Sequence, residues 1–122
     1  LRQTPGPHNA LGLVKFIFPN PSHVYLHDTP SKTLFQRSRR DFSHGCIRVE
    51  DPVALAHFVL GEAWGADRIR AAMQRGRDNQ RVNLKTPIPV LLYYTTAVVE
   101  EDGELYFFDD IYGHDERLAK LL

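Results

Sequence analysis

A six-residue stretch near the middle of the chain holds the side chains best suited to covalent chemistry. It runs from Ser43 to Arg48 and reads SHGCIR, and its Cys46 is the only cysteine in the 122-residue sequence. A cysteine becomes a nucleophile when a base removes the thiol proton, and histidine is a common base near neutral pH. His44 precedes Cys46 by two residues, and His27 precedes it by nineteen. These residue types at this spacing favour a cysteine–histidine pair that attacks a carbonyl group.

Two other interpretations of Cys46 stay open on the residues alone. A lone cysteine is often a buried apolar side chain, and Cys46 with His44 and His27 could also supply three ligands of an open zinc site. Gly45 favours a reactive thiol, because a residue without a side chain lets a substrate backbone approach the sulfur. The zinc interpretation has less support, because the sequence contains no CxxC or HExxH spacing.

The choice of base depends on where each histidine lies. Residues 23–27 alternate apolar and polar side chains, which predicts a strand with His27 on its polar face. His27 ends this strand just before the loop that returns to Cys46, so the loop can bring its imidazole to the sulfur. His44 is the second candidate, although its place beside Cys46 also suits it to shaping the turn.

Charged residues near the motif each have two interpretations. Asp28 follows His27 and can orient its ring through the backbone carbonyl or the side chain. Arg48 either pairs with a carboxylate such as Glu50 or offers a bidentate fork to a substrate carboxylate. Three arginines of the preceding loop form either a solvated face or a substrate contact: Arg37, Arg39 and Arg40.

Local signals around the motif predict an α+β fold. Asp51 followed by Pro52 predicts a helix start, and Gly61 predicts its end. A fifteen-residue polar loop is expected over residues 28–42. The predicted strands cover residues 11–18, 23–27, 80–84, 87–100 and 105–108, and a hairpin turn covers 101–104. Two more helices are predicted: one over 67–75, ended by Gly76, and a short one from about His114. This order indicates a β-rich, mostly antiparallel fold with two or three helices.

Composition limits the classes of function. Hydrophobic residues make up 43% and charged residues 25%, as in an ordinary globular domain or part of one. Lysine plus arginine equals aspartate plus glutamate, at 15 each, so no overall attraction to nucleic acid or to an anionic membrane is expected. The sequence begins at Leu1 without an initiator methionine, so we expect it to be a piece of a longer protein.

The motif residues resemble a known active-site signature. His27, a fifteen-residue spacer and Ser43-His44-Gly45-Cys46 resemble the signature of L,D-transpeptidases of the YkuD type. Other stretches resemble the large periplasmic YcbB-like members from Gram-negative bacteria, namely residues 5–12, 14–16, 25–30 and 43–52. The likeness extends over nearly the whole chain.

The resemblance implies an enzyme that cross-links peptidoglycan. Cys46 would attack the carbonyl between meso-diaminopimelate and the terminal D-Ala of a donor stem peptide, release D-Ala and form a thioester. The amine of an acceptor stem would then form a 3→3 cross-link. Carbapenems acylate the cysteine in this family, and the resemblance implies no metal, no organic cofactor and no nucleic-acid partner.

The resemblance also assigns roles to the site residues. His27 would be the base, held by the backbone carbonyl of Asp28. Backbone N–H groups of Gly45 and Cys46 would form the oxyanion hole. Three further side chains would shape the pocket: Ser43, His44 and Arg48.

The family's catalytic domain starts with more strands than this chain provides. We therefore expect residues 1–122 to be the C-terminal portion of a catalytic domain, with a strand partner in the missing part. The full-length protein is expected in the periplasm, exported or anchored in the inner membrane. Rival functions are a cysteine peptidase or amidase, a non-catalytic peptidoglycan-binding module and a zinc hydrolase.

Overall fold

The chain divides into two units in the computed structural model, Leu1–Ile88 and Pro89–Leu122. The structure describes residues 3–4, 6, 8–43, 45–75 and 80–122. These described residues form five short strands, three α-helices and one 3₁₀ helix. The predicted α+β class is therefore confirmed, and the SHGCIR stretch lies in the first unit.

A three-stranded sheet organises the first unit. Its strands are β1 (Lys15–Phe16), β2 (Leu26–His27) and β3 (Ile47–Arg48), and β2 lies in the middle. β1 pairs with β2 antiparallel, whereas β2 pairs with β3 parallel. A parallel pair needs a long crossover, which the loop between His27 and Ile47 provides. Two of the three strand pairs among the described residues are antiparallel, as expected, and the one parallel pair brings the two halves of the motif side by side.

Two helices follow β3, with the start and end that the local signals predict. In α1 (Pro52–Leu60) the Asp51 side chain accepts a hydrogen bond from the Ala54 N–H at 2.9 Å. Gly61 ends α1 with a φ of +70°, a conformation that glycine adopts without strain. α1 packs against α2 (Ala66–Gln74), and the buried side chains of Ala56 and Ile69 form this small core.

The second unit is a hairpin followed by a short helix. β4 (Ala97–Val99) pairs antiparallel with β5 (Leu105–Phe107), across the turn predicted at 101–104. α3 (His114–Ala119) begins at the predicted residue. Beside it, the Tyr94 hydroxyl donates a hydrogen bond to Asp110 Oδ1 at 2.9 Å.

Several predicted elements differ from the structure in length. The strands predicted over 11–18, 23–27 and 87–100 are limited to β1, β2 and β4, because pairing with a partner strand ends after two or three residues. The strand predicted over 80–84 is wrong, since these residues are exposed and unpaired within the described part of the chain. The predicted loop contains a 3₁₀ helix, Lys32–Gln36. Gly76, the predicted end of α2, lies outside the described residues. No helix in the described ranges is long and apolar enough to cross a membrane.

Candidate active site

The sheet register places the candidate side chains on one face. His27 in β2 is paired with Lys15 in β1 and with Arg48 in β3. Residues paired across strands point to the same side of a sheet, and the side repeats every second residue. The Ile47 N–H donates to the Tyr25 carbonyl at 3.1 Å, so Cys46 continues the parallel register opposite Tyr25. Cys46 and His27 therefore share one face of the sheet.

His27 is buried and held in one tautomer. Its side chain belongs to a residue that is only 5% exposed, and its Nδ1 makes a short hydrogen bond with the backbone carbonyl of Asp28. A carbonyl oxygen can only accept, so Nδ1 carries the proton and donates it. The lone pair of Nε2 is left to accept a proton from another group. This is the tautomer that lets Nε2 act as a general base.

Asp28 is fixed through its side chain as well as its carbonyl. Its Oδ2 accepts a hydrogen bond from the Leu13 N–H at 2.9 Å, and its Oδ1 lies 2.9 Å from Lys32 Nζ. Burial raises the pKa of the Asp28 carboxyl, but the hydrogen bonds from Lys32 and from backbone N–H groups outweigh burial and lower the pKa below its usual value. Asp28 is therefore a carboxylate at neutral pH, and its backbone is anchored to the segment before β1.

Gly12 makes the anchoring of Asp28 possible. Gly12 has a φ of +62°, and a Cβ added there would lie 2.3 Å from Asp28 Oδ2. Both its conformation and the close approach of the carboxylate require a residue without a side chain.

Lys32 connects the carboxylate of Asp28 to the end of β3. Its ammonium group donates to the Val49 carbonyl at 3.0 Å and to the Glu50 carbonyl at 2.6 Å. Lys32 belongs to the 3₁₀ helix of the long loop. One cation therefore holds the ends of β2 and β3 together beside the candidate site.

Cys46 lies at the end of a tight turn. Ser43 Oγ donates to the Cys46 carbonyl at 2.6 Å and accepts from the Gly45 N–H at 3.2 Å. Gly45 has a φ of +139°, which residues with side chains rarely adopt. His44, the second candidate base, lies outside the described residues. The turn presents a half-buried free thiol, and the two Ser43 bonds that shape it join residues two and three apart.

Tyr25 lies beside both members of the cysteine–histidine pair. It stands opposite Cys46 in the sheet register, and its ring packs against His27 in a T-shaped arrangement with centroids 6.0 Å apart. Lys15 Nζ lies 5.4 Å from the centroid of the same ring. Burial, followed by the charge of Cys46 and its hydrogen bond, raises the pKa of Tyr25 above the usual value.

The arginines near the motif bind the protein's own backbone and side chains. Arg48 Nη2 donates to the Phe42 carbonyl at 3.2 Å, and a pair with Glu50 is not among the ion pairs of the described residues. Arg39 binds both carboxylate oxygens of Asp41, at 2.7 and 2.8 Å. Arg40 Nε donates to the Arg37 carbonyl at 2.9 Å. The structure thus gives Arg48 a role in fixing the loop beside Cys46.

Sequence reasoning missed three residues that position the site. Tyr25 had a usable signal, because the alternation over residues 23–27 places it on the face of His27. Gly12 had none, because its approach to Asp28 depends on how distant segments pair. Lys32 lies only four residues after Asp28, but its bonds to the Val49 and Glu50 carbonyls also depend on that pairing. No group of three His, Cys, Asp or Glu side chains suited to a metal ion occurs in the described part of the chain. His44, one of the three zinc ligands considered, lies outside that part.

Comparison with known proteins identifies the family. A family model of the YkuD L,D-transpeptidase catalytic domain matches residues 1–99. A Haemophilus influenzae protein named "Putative L,D-transpeptidase" is 37% identical over 118 residues, which cover 97% of this chain and 24% of that protein. The chain therefore belongs to the YkuD family of L,D-transpeptidase catalytic domains, and it spans about a quarter of the curated relative that it matches. That residues 1–122 form the C-terminal portion of a catalytic domain stays a prediction.

Proposed function

We propose that the protein is a peptidoglycan L,D-transpeptidase in which Cys46 is the nucleophile and His27 is the base. Family membership supports the activity. The observation that carries the assignment of residues is the state of His27. It is buried, its Nδ1 proton is committed to the Asp28 carbonyl, and it shares a sheet face with the Cys46 thiol.

The first half-reaction forms a thioester. Nε2 of His27 accepts the thiol proton of Cys46, and the sulfur attacks the carbonyl between meso-diaminopimelate and D-Ala in a donor stem peptide. The carbon–nitrogen bond then breaks, and His27 returns the proton to the departing amine of D-Ala. Proton and electron pair are both accounted for, so no metal or organic cofactor has to take part in this scheme.

The second half-reaction transfers the acyl group. The side-chain amine of an acceptor stem attacks the thioester, His27 takes the proton that this amine loses, and the Cys46 sulfur leaves. The product is a 3→3 cross-link. Because the thiolate that leaves regains a proton from His27, the enzyme returns to its starting state.

The oxyanion of each tetrahedral intermediate needs at least one free N–H group. The Cys46 N–H has no acceptor among the residues that the structure describes, so we assign it to this role. The Gly45 N–H already donates to Ser43 Oγ, at 3.2 Å, and would have to leave that bond to take part. Gly45 therefore serves the proposed mechanism chiefly through its positive φ, which shapes the turn.

We extend the proposal to the partners and location of the protein. Donor and acceptor stem peptides are its substrates, carbapenems are its inhibitors, and the periplasm is where these substrates lie. The proposal also includes a strand partner from a longer protein, which could pair with β1 or β3, the outer strands of the sheet among the described residues.

The test is a product analysis with the intact protein and a purified tetrapeptide donor that ends in meso-diaminopimelate–D-Ala. Release of D-Ala together with a cross-linked dimer supports the proposal, and Cys46→Ala should abolish both. Release of D-Ala with only a shortened tripeptide would replace the proposal with a hydrolytic peptidase. Unchanged donor would favour a module that binds peptidoglycan without chemistry.

A further inference from the structure

Tyr25 occupies the position opposite Cys46 in the parallel pair of β2 and β3. The bond from the Ile47 N–H to the Tyr25 carbonyl, 3.1 Å long, fixes this register at the point where the SHGCIR turn enters β3. Tyr25 and Cys46 therefore project from the same face of the sheet, at the ends of neighbouring strands.

The ring of Tyr25 is held by groups from separate strands. Its edge packs on His27, with centroids 6.0 Å apart and planes at 64°. Lys15 of β1 places its ammonium group 5.4 Å from the ring centroid, a distance suited to a cation–π contact. These contacts fix the ring on the sheet face that also carries Cys46.

We propose that Tyr25 is a catalytic residue whose hydroxyl donates a hydrogen bond to Cys46 Sγ whenever the sulfur carries negative charge. This inference rests on the proposed function, in which the sulfur is anionic twice: as the attacking nucleophile and as the group that leaves the thioester. The thiol proton goes to Nε2 of His27 in both cases. Tyr25 keeps its own proton throughout and acts by stabilising charge.

The protonation state of Tyr25 agrees with a donor role. Burial and the neighbouring Cys46 raise the pKa of Tyr25, so the hydroxyl stays protonated across the neutral pH range. The other charged or titratable groups on this sheet face are Lys15, His27 and Arg48. Arg48 is engaged with the Phe42 carbonyl, and Lys15 lies over the Tyr25 ring.

The discriminating variant is Tyr25→Phe, which keeps the ring contacts with His27 and Lys15 and removes only the hydroxyl. We would measure the rate of Cys46 alkylation by iodoacetamide against pH in the intact protein. Loss of a hydrogen bond to a charged sulfur should move the midpoint of this profile upward by about one pH unit. The rate at high pH should stay close to that of the wild type, because the sulfur is fully ionised there.

Tyr94→Phe is the matched control. It also removes a hydroxyl that donates to an anionic partner, Asp110, and it should leave the alkylation profile unchanged. A reciprocal measurement does not depend on the folding of Tyr25→Phe. In Cys46→Ala, the tyrosinate absorbance titration should show one tyrosine with a lower pKa than in the wild type.

An unchanged midpoint in Tyr25→Phe, or an unchanged tyrosine titration in Cys46→Ala, would overturn the inference. The two proposals fail separately in this design. If the wild type forms cross-links while Tyr25→Phe keeps the wild-type profile, only the role of Tyr25 is wrong. If the midpoint shifts but the wild type leaves stem peptides untouched, the hydrogen bond is real and the transpeptidase function is wrong.

Discussion

His27 and Cys46 lie on one face of the same sheet, but the backbone around each is held in a different way. Around His27, three consecutive residues are buried, and hydrogen bonds reach them from Leu13 and Val49, which are distant in the sequence. Around Cys46, residues 43 and 45 are exposed, and the hydrogen bonds of the turn before it join residues two or three apart, through Ser43; only from Ile47 onward is the backbone bonded to β2. The proposed base thus depends on the tertiary fold, whereas the proposed nucleophile depends on local turn geometry.

This difference suits the chemistry proposed for each residue. A base must keep one nitrogen free and aimed at a proton, so a rigid and dry setting favours His27. A nucleophile must meet a large substrate, so Cys46 benefits from an open approach. Changes to the surroundings of His27 should therefore affect both stability and rate, and changes in the Cys46 turn should mainly affect rate.

The largest effect is expected from His27→Ala. Without a base, the rate of Cys46 acylation near neutral pH should fall by about a hundredfold or more. His57→Ala is the matched control, because His57 also commits Nδ1 to a backbone carbonyl, that of Trp64 at 3.0 Å, but lies on α1. The measurement is the acylation rate by time-resolved mass spectrometry. Equal rates in the two variants would exclude His27 as the base.

Gly12→Ala should cause the largest loss of stability. The new Cβ would lie 2.3 Å from Asp28 Oδ2, and the φ of +62° adds strain, so we expect a loss of about 3 kcal/mol in the free energy of unfolding. Gly113→Ala is the control, since Gly113 has a φ of +65° with open space around it, and about 1 kcal/mol is expected there. Denaturant unfolding of both variants measures the difference. Equal losses would mean that the approach of Asp28 is unimportant.

Lys32→Met should have a smaller effect that depends on pH. The lowered pKa of Asp28 means that its ionised side chain stabilises the fold above the pKa of the unfolded state, and that this contribution is lost as pH falls through the lowered folded pKa. Because Lys32 is partly exposed, we expect a loss of only about 1 kcal/mol at pH 7. The difference in the free energy of unfolding between variant and wild type should become smaller in acid.

Unfolding measured at pH 7 and at pH 3 tests this expectation. Lys120→Met is the control, because Lys120 pairs with Glu116 at 3.4 Å on an exposed helix and should change stability very little. The contrary result is a loss in the free energy of unfolding for Lys32→Met that is the same at both pH values. That result would show that the bonds of Lys32 to the carbonyls of Val49 and Glu50, rather than to Asp28, account for the stabilisation.

Ser43→Ala should have the smallest effect and should alter rate more than stability. It removes the hydroxyl that fixes the Cys46 carbonyl and the Gly45 N–H, so we expect acylation to slow by about fivefold. Thermal unfolding should change little, because the turn is exposed. Ser22→Ala, at another exposed turn position, should change neither quantity. A loss of stability as large as that of Lys32→Met would show that the turn is not local.

Local signals predicted the elements whose structure depends on neighbouring residues. The start of α1 at Pro52, its end at Gly61 and the hairpin turn follow from capping and turn chemistry within a few residues. The alternation before β2 placed His27 on the polar face of its strand. The candidate pair, Cys46 and His27, could therefore be named from spacing and residue type.

The remaining features depend on contacts between distant segments. The extent of each strand was overestimated, because β propensity does not say where a partner strand ends. The parallel pairing of β2 with β3 was missed for the same reason, since it joins residues about twenty positions apart. Gly12 carries no local mark of its contact with Asp28, and Lys32 carries none of its bonds to the carbonyls of Val49 and Glu50.

The central claim is that Cys46 is an activated nucleophile in a site that accepts acyl groups. Intact-mass analysis of the protein after incubation with a carbapenem tests it most directly, with Cys46→Ala as the comparison. We expect the mass of the wild type to increase by one drug molecule and the mass of Cys46→Ala to stay unchanged. An unmodified wild type, or an adduct that persists in Cys46→Ala, would contradict the account.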